Sequence, residues 1–186
     1  TSRRQRQMCI RDSDWVEAFY APHTLEIDFA LADGRANREY IGKVIELNYV
    51  NEDTIERHKE NLSNGTEAKC ANTVLTLARD MGKGWYATVL SNYIDIAVTI
   101  PQYILKAVAF AGREVIRIDV IFKMMEYSLS GYGETLEVLG IEFQNDKVIS
   151  HDEKICCINK FREMYSEDML SKFLQEVDAY CEGWCE

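Results

Sequence analysis

The sequence predicts an α/β fold that is mostly helical, because apolar residues recur at helical spacing along most of the chain and alternate only in short segments. The chain has 186 residues, enough for about one domain or slightly more. Hydrophobic residues make up 47% and charged residues 28%, a balance typical of a globular protein. The net charge of −10 means that contact with nucleic acid would need a local basic patch, a divalent metal or a basic partner segment.

The first two predicted elements lie on either side of a proline. Apolar and polar residues alternate over residues 15–20, which predicts a strand, and Pro22 ends it because proline cannot continue the hydrogen-bond ladder. Thr24 has the side chain of an N-cap and predicts a helix over residues 25–32. Glu26 falls in the first turn of this helix, where the helix dipole favours a carboxylate.

Helical spacing continues through the middle of the chain. Apolar residues recur three and four positions apart, and Gly82 and Gly84 separate two of the helices. Pro101 occupies a first-turn position, which proline tolerates. The predicted helices cover residues 36–49, a short polar segment after residue 53, and residues 66–81, 85–93 and 101–111.

The remainder of the chain combines helical with ambiguous segments. Residues 113–129 have a helical spacing, although their β-branched residues also permit a strand over residues 115–120. Residues 138–143 predict a second strand, and residues 163–181 predict a charged amphipathic helix.

The first 13 residues differ in composition from the rest. The segment RRQRQMCIRD at residues 3–12 can be back-translated as CGT CGG CAG CGT CAG ATG TGT ATA AGA GAC, which resembles a transposase-based sequencing adapter. We therefore expect residues 1–13 to be an adapter-derived artefact without structure, the alternative being a genuine basic arm. Without their four arginines and one aspartate, the net charge changes from −10 to −13. An adapter fused in frame implies that the natural protein begins upstream of Asp14.

The chain carries no signal for a membrane or for secretion. No apolar run reaches the roughly 18 residues of a membrane span, so we expect no membrane partner. The leader has no apolar core of a signal peptide, and the adjacent cysteines Cys156 and Cys157 are poorly placed to pair with each other. These features predict a cytoplasmic protein with free thiols.

Two segments carry the strongest chemical signals. Glu26 follows a predicted strand at a helix start, where open α/β sheets place their sites and where a carboxylate suits a hard metal ion. Lys83 lies in a glycine-flanked turn that opens a helix, where backbone amides and an ammonium group could meet a phosphate. Asp28 is about 200° around the helix from Glu26, so the two should not share one metal. Taken alone, a first-turn helix carboxylate and a solvated loop lysine are the commoner explanations of Glu26 and Lys83.

Three motifs follow one another in this sequence: TLEIDFA at residues 24–30, followed by Asn37, then KGWYA at residues 83–87 and PQYI at residues 101–104. They resemble motifs in the nuclease domain of OLD-family (overcoming lysogenization defect) endonucleases, which is a topoisomerase–primase (Toprim) domain. Family members have a TLE-x-D-[LF]-A segment after a strand, a K-G-x-[FY]-A helix start and a later P-x-Y-I helix. The order and the spacing agree over about residues 15–111.

The resemblance implies a DNA nuclease that uses two metal ions, Mg²⁺ or Mn²⁺. It also implies that an N-terminal ABC-type ATPase is coupled to this nuclease. By matching position, Glu26 would be a catalytic metal ligand and Asp28 a weaker candidate ligand. Lys83 would be catalytic, contacting the scissile phosphate or stabilising transition-state charge. DNA would be the substrate, ATP would bind only to the missing N-terminal domain, and a homo-oligomer would form through missing regions. We expect the Glu26 carboxylate and the Lys83 ammonium to face the same side of a small strand edge.

The resemblance also implies a division of the chain. Residues 14–112 would be the C-terminal half of a Toprim domain, and residues 113–186 a mainly helical extension. The family's leading glutamate and Asp-x-Asp motif have no counterpart before Trp15, so we expect them upstream, and we expect the fragment alone to be inactive.

Two alternative functions remain open, and several residues have a structural explanation as well as a functional one. The chain could be a non-catalytic acidic helical interaction module, or part of a different Toprim enzyme related to primases or topoisomerases. Trp85 and Tyr86 could stack on bases, but their helical spacing favours the core. His58 and His151 are flanked by polar residues, which predicts surface histidines.

Overall fold

The computed structural model describes residues 17–32, 35–140 and 149–180. This part of the chain is mostly helical, as the sequence predicts, and it contains no strand. The helices are α1 Leu25–Leu31, α2 Arg35–Asn48, α3 Glu52–Ser63, α4 Glu67–Met81, α5 Lys83–Ser91, α6 Gln102–Gly112, α7 Ile118–Gly131, α8 His151–Met164 and α9 Met169–Asp178, with a 3₁₀ helix at Leu136–Leu139.

The chain divides into two compact units. One is Tyr20–Gln102, which contains α1 to α5, and the other combines Thr1–Phe19 with Tyr103–Glu186. The predicted domain boundary after residue 112 stays a prediction, and the predicted artefact at residues 1–13 lies outside the described residues. No helix in the described part of the chain is long and apolar enough to cross a membrane.

The unit Tyr20–Gln102 is built on the apolar faces of α2 and α4. Ile41, Val44 and Ile45 of α2 are fully buried, and Val74 and Leu77 of α4 are buried in the same cluster. Burying such an aliphatic side chain contributes about 1.5–3 kcal/mol, so this cluster dominates the stability of the unit. Helix starts are fixed locally by side-chain caps that accept backbone N–H bonds: Asn51 from Thr54 at 2.9 Å, and Thr66 from Lys69 at 3.4 Å.

The other unit has its own core around α7, α8 and α9. Ile121, Met125, Phe161 and Leu174 are fully buried there. The start of α8 is a complete capping box, in which the Ser150 hydroxyl accepts from the Glu153 N–H and the Glu153 carboxylate accepts from the Ser150 N–H.

The predicted strands are not present in the described residues, so the α/β character of the fold prediction is not supported. Residues 17–20 have no regular structure, and residues 15–16 lie outside the described part. Phe19 instead packs its ring on Phe110, at 5.9 Å between centroids. The alternation at residues 15–20 was a weak signal because an isolated strand has no partner for its backbone groups.

The other two segments with a strand prediction, residues 115–120 and 138–143, contain no strand where they are described. Residues 113–117 form a turn and loop, and α7 begins at Ile118, because Ile118, Ile121 and Met125 bury one helical face. Val138 lies in a 3₁₀ helix, and residues 141–143 lie outside the described part. Local β-branching was therefore overridden by packing.

The helix predicted over residues 163–181 is wrong in its bounds. Helix α8 already ends at Met164, and α9 starts at Met169 after Asp168. The Asp168 carboxylate accepts from the Leu170 N–H at 2.7 Å, so an N-cap interrupts the predicted run.

Candidate functional site

The candidate carboxylate Glu26 lies in the first turn of α1. Ile27 and Ala30 of the same helix are buried, and α1 packs against α4. The side chain of Glu26 is only 15% exposed, so its surroundings, rather than bulk water, set its behaviour. Thr24 occupies the N-cap position with extended backbone, as predicted.

The candidate cation Lys83 is the first residue of α5 and lies next to Glu26. Its ammonium Nζ is 3.1 Å from Oε1 of Glu26, and its side chain is 64% exposed. The preceding Gly82 has φ 81°, a conformation that glycine adopts readily and that turns the chain directly from α4 into α5. Glu26 and Lys83 thus lie side by side, but they meet between two helix starts and not at the predicted strand edge.

The ion pair keeps Glu26 charged. Burial disfavours the carboxylate, but hydrogen bonds from its own backbone N–H, from Lys83 and from Thr24 outweigh burial and lower the pKa of Glu26. The site thus presents an ionised carboxylate oxygen beside an exposed ammonium group. This is the combination that suits a hard cation and an anionic substrate at neighbouring positions.

Tyr86 contributes a buried hydroxyl to the same region. The residue is 2% exposed, and its hydroxyl has no hydrogen-bond partner among the described residues. Burial raises the pKa of Tyr86, and the neighbouring Glu26 charge and Cys70 thiol raise it further. The prediction that Tyr86 belongs to the core is confirmed.

Trp85 is not a core residue, contrary to the sequence prediction. It is 62% exposed, because successive residues on a helix point about 100° apart and only one side of α5 is covered. Of the two histidines predicted to lie at the surface, only one is exposed. His151 is exposed, whereas His58 is half-buried and stacks on Tyr49 at 5.0 Å between ring centroids.

Asp28 contacts a different partner from Glu26. It is 7% exposed, and its carboxylate lies 2.9 Å from Nδ1 of His23, with the His23 backbone N–H donating at 3.4 Å. The two carboxylates therefore face separate partners, as their rotation around the helix predicts. The metal-ligand roles of Glu26 and Asp28 stay predictions.

The described residues by themselves do not complete a metal site. No group of three or more His, Cys, Asp or Glu side chains in the described part of the chain could hold one ion. Glu26 has the donor chemistry that Mg²⁺ or Mn²⁺ requires, but it supplies only one ligand.

The sequence predicts no role for Asn37, a buried polar residue that binds the helix carrying Glu26. Asn37 is fully buried and makes three hydrogen bonds to backbone groups of α1 and of the segment before α6. The available signal was an asparagine one turn into an amphipathic helix, on the same side as Tyr40, Ile41 and Val44.

No protein-family model matches this chain, and neither a curated protein nor a solved structure matches it significantly. The resemblance to OLD-family endonucleases therefore depends on the ordered sequence motifs alone.

Proposed function

We propose that the chain is the C-terminal part of an OLD-family, metal-dependent DNA endonuclease, in which Glu26 and Lys83 belong to a Toprim-type active site. The observation that supports the proposal is the 3.1 Å contact between the Lys83 ammonium and the Glu26 carboxylate. These residues come from separate motifs, TLEIDFA and KGWYA, and a site built from both motifs requires them to be neighbours.

Each residue has a role that its surroundings suit. The Glu26 carboxylate is mostly buried and stays ionised, as a metal ligand must be. Lys83 is exposed enough to leave Glu26 and contact the non-bridging oxygens of a phosphodiester, where its charge stabilises the transition state. Tyr86 is buried and close enough to Glu26 for the carboxylate charge to raise the pKa of the tyrosine.

The proposal needs groups that the described residues do not supply. A divalent ion, Mg²⁺ or Mn²⁺, would lower the pKa of the attacking water and polarise the phosphodiester. Glu26 is the residue that would hold it, and Asp28 is the weaker candidate. The remaining acidic ligands, an ATPase domain and the surfaces of a homo-oligomer would come from upstream sequence.

The test is cleavage of DNA by the full-length protein, recovered by sequencing the gene upstream of Asp14. Nicking of supercoiled plasmid would be measured with Mg²⁺ or Mn²⁺ for the wild type, Glu26→Gln and Lys83→Ala. We expect both variants to lose at least about 100-fold in rate, the size of a lost transition-state contact. Lys59→Ala is the matched control, because Lys59 forms an exposed ion pair with Glu46 in the same unit.

Two results would contradict the proposal. Undiminished cleavage by Glu26→Gln would remove Glu26 from the site. A full-length gene without a Walker A motif and without the upstream acidic motifs would favour the non-catalytic interaction module, and an upstream zinc-binding primase region would favour a different Toprim enzyme.

A further inference from the structure

Asn37 uses both ends of its side-chain amide inside the core. Its Nδ2 donates to the carbonyl oxygen of Phe29 at 2.8 Å and to that of Thr99 at 2.7 Å. Its Oδ1 accepts from the N–H of Thr99 at 2.9 Å. The side chain is completely buried, so no water competes for these three bonds.

These bonds fix the end of the helix that carries Glu26. Helix α1 has seven residues, which is too short to be stable without tertiary contacts. The last carbonyl groups of a helix lack partners within it, and those of Phe29 and Ala30 belong to this last turn. Asn37 binds the carbonyl of Phe29, and the Arg38 guanidinium Nε binds that of Ala30 at 3.1 Å. Two consecutive residues of α2 thus bind the last turn of α1, in addition to the packing of α1 against α4.

The amide group is required, not merely a polar residue of similar size. The two carbonyl groups of Phe29 and Thr99 need two N–H donors, and the Thr99 N–H needs an acceptor. A carboxylate has no hydrogen for either carbonyl, and an apolar side chain satisfies none of the three groups. Asparagine is the residue of this size that matches all three.

We propose that Asn37 is the positioning residue of the Glu26–Lys83 site: by joining the end of α1 to the segment before α6, it holds Glu26 against Lys83. Asn37 acts through α1 and does not touch the substrate. The catalytic consequence of this role depends on the proposed function, whereas the positioning is a property of the chain itself. Misplacement of a reacting group by about 1 Å is enough to lose most of a catalytic rate.

The positioning can be measured in this chain by zero-length cross-linking. A carbodiimide joins a carboxylate to an amine in contact with it, and mass spectrometry identifies the Glu26–Lys83 amide. We expect Asn37→Ala to lower the yield of this cross-link several-fold. Tyr40→Phe is the matched control, because the Tyr40 hydroxyl also joins α2 to the segment before α6, through Asp95, and this hydrogen bond does not involve the α1 backbone. It should leave the yield unchanged.

A second measurement keeps the proposal falsifiable if Asn37→Ala does not fold. In the wild type, the Thr99 amide should exchange slowly with deuterium, whereas the amide of the exposed Ile94 should exchange fast. Asn37→Asp retains the acceptor for Thr99 and loses both donations, so it should keep Thr99 protected and still lose the cross-link. Fast exchange at Thr99 in the wild type, or an unchanged cross-link in either folded variant, would overturn the proposal.

Activity separates this inference from the proposed function. In the full-length enzyme, Asn37→Ala should lower kcat for plasmid nicking with little change in KM, since the substrate contacts are retained. If the wild type does not cleave DNA, the proposed function fails while the cross-link still decides the positioning. If the wild type cleaves and the Asn37→Ala cross-link is unchanged, the positioning fails alone.

Discussion

At the scale of single residues, two glycines that flank Lys83 have opposite requirements. Gly82 has φ 81°, whereas Gly84 lies inside the first turn of α5, and a Cβ at either position would meet open space. We expect Gly82→Ala to destabilise the chain by about 1–2 kcal/mol, because an L-residue resists this conformation. Gly84→Ala should be neutral or stabilise by about 0.5–1 kcal/mol, since alanine favours a helix. Urea unfolding of both variants checks this pair, and equal effects would contradict it.

The buried hydroxyl of Tyr86 gives a second prediction at this scale. Because it has no partner among the described residues, Tyr86→Phe should be neutral or stabilise by about 1 kcal/mol. The comparison is Tyr40→Phe, which removes a 2.5 Å hydrogen bond to Asp95 and should destabilise by about 1 kcal/mol. Urea titrations of both variants measure the two changes in the free energy of unfolding. A loss of stability in Tyr86→Phe as large as that in Tyr40→Phe would show that the Tyr86 hydroxyl has a partner.

At the scale of elements, the N-caps of α8 and α9 differ in the number of segments that each one joins. Ser150 caps α8 at an exposed position, whereas Asp168 caps α9 while buried and also accepts from the Tyr132 hydroxyl at 2.9 Å. Asp168→Ala should therefore cost about 2–3 kcal/mol and Ser150→Ala about 1 kcal/mol. Thermal unfolding of both variants is the measurement, and the reverse order would contradict the importance of the buried cap.

The same cap perturbs a tyrosine, which offers an independent readout. Burial, the hydrogen bond to Asp168 and its charge raise the pKa of Tyr132 to about 12. Asp168→Ala should bring that pKa back toward the ordinary tyrosine value. Spectrophotometric titration of the tyrosines reports this shift, and Tyr132→Phe identifies which transition belongs to Tyr132.

At the scale of the whole molecule, stability should fall at acidic pH partly through Glu26. Its pKa is lowered in the folded state, so its contribution is fully present above the ordinary pKa of glutamate. The contribution is lost as the pH falls through the lower folded-state value. Glu26→Gln should therefore flatten the part of the stability–pH profile that lies below the ordinary pKa of glutamate, and leave the profile at neutral pH unchanged in slope. A variant profile parallel to the wild type over this range would contradict the ionised pair.

Much of the helical structure could be predicted from local sequence. Thr24, Asn51 and Thr66 mark helix starts that the structure retains, and Gly82 marks a real break. The predicted strands at residues 15–20, 115–120 and 138–143 are wrong where they are described, because short apolar runs fit either a strand or a buried helical face. Helix α8 was missed over most of its length, since its capping box precedes a segment with weak periodicity.

The candidate site separates what the sequence determines from what the tertiary structure determines. The sequence by itself determined the residue types, the helix starts that carry Glu26 and Lys83, and the acidic charge of the chain. Only the tertiary structure decided that these two side chains meet, that Asp28 turns to His23, that Tyr86 is buried while Trp85 is exposed, and that Asn37 joins α1 to Thr99. The physical reason is that capping and turn chemistry act within a few residues, whereas contacts between distant segments depend on how helix faces pack.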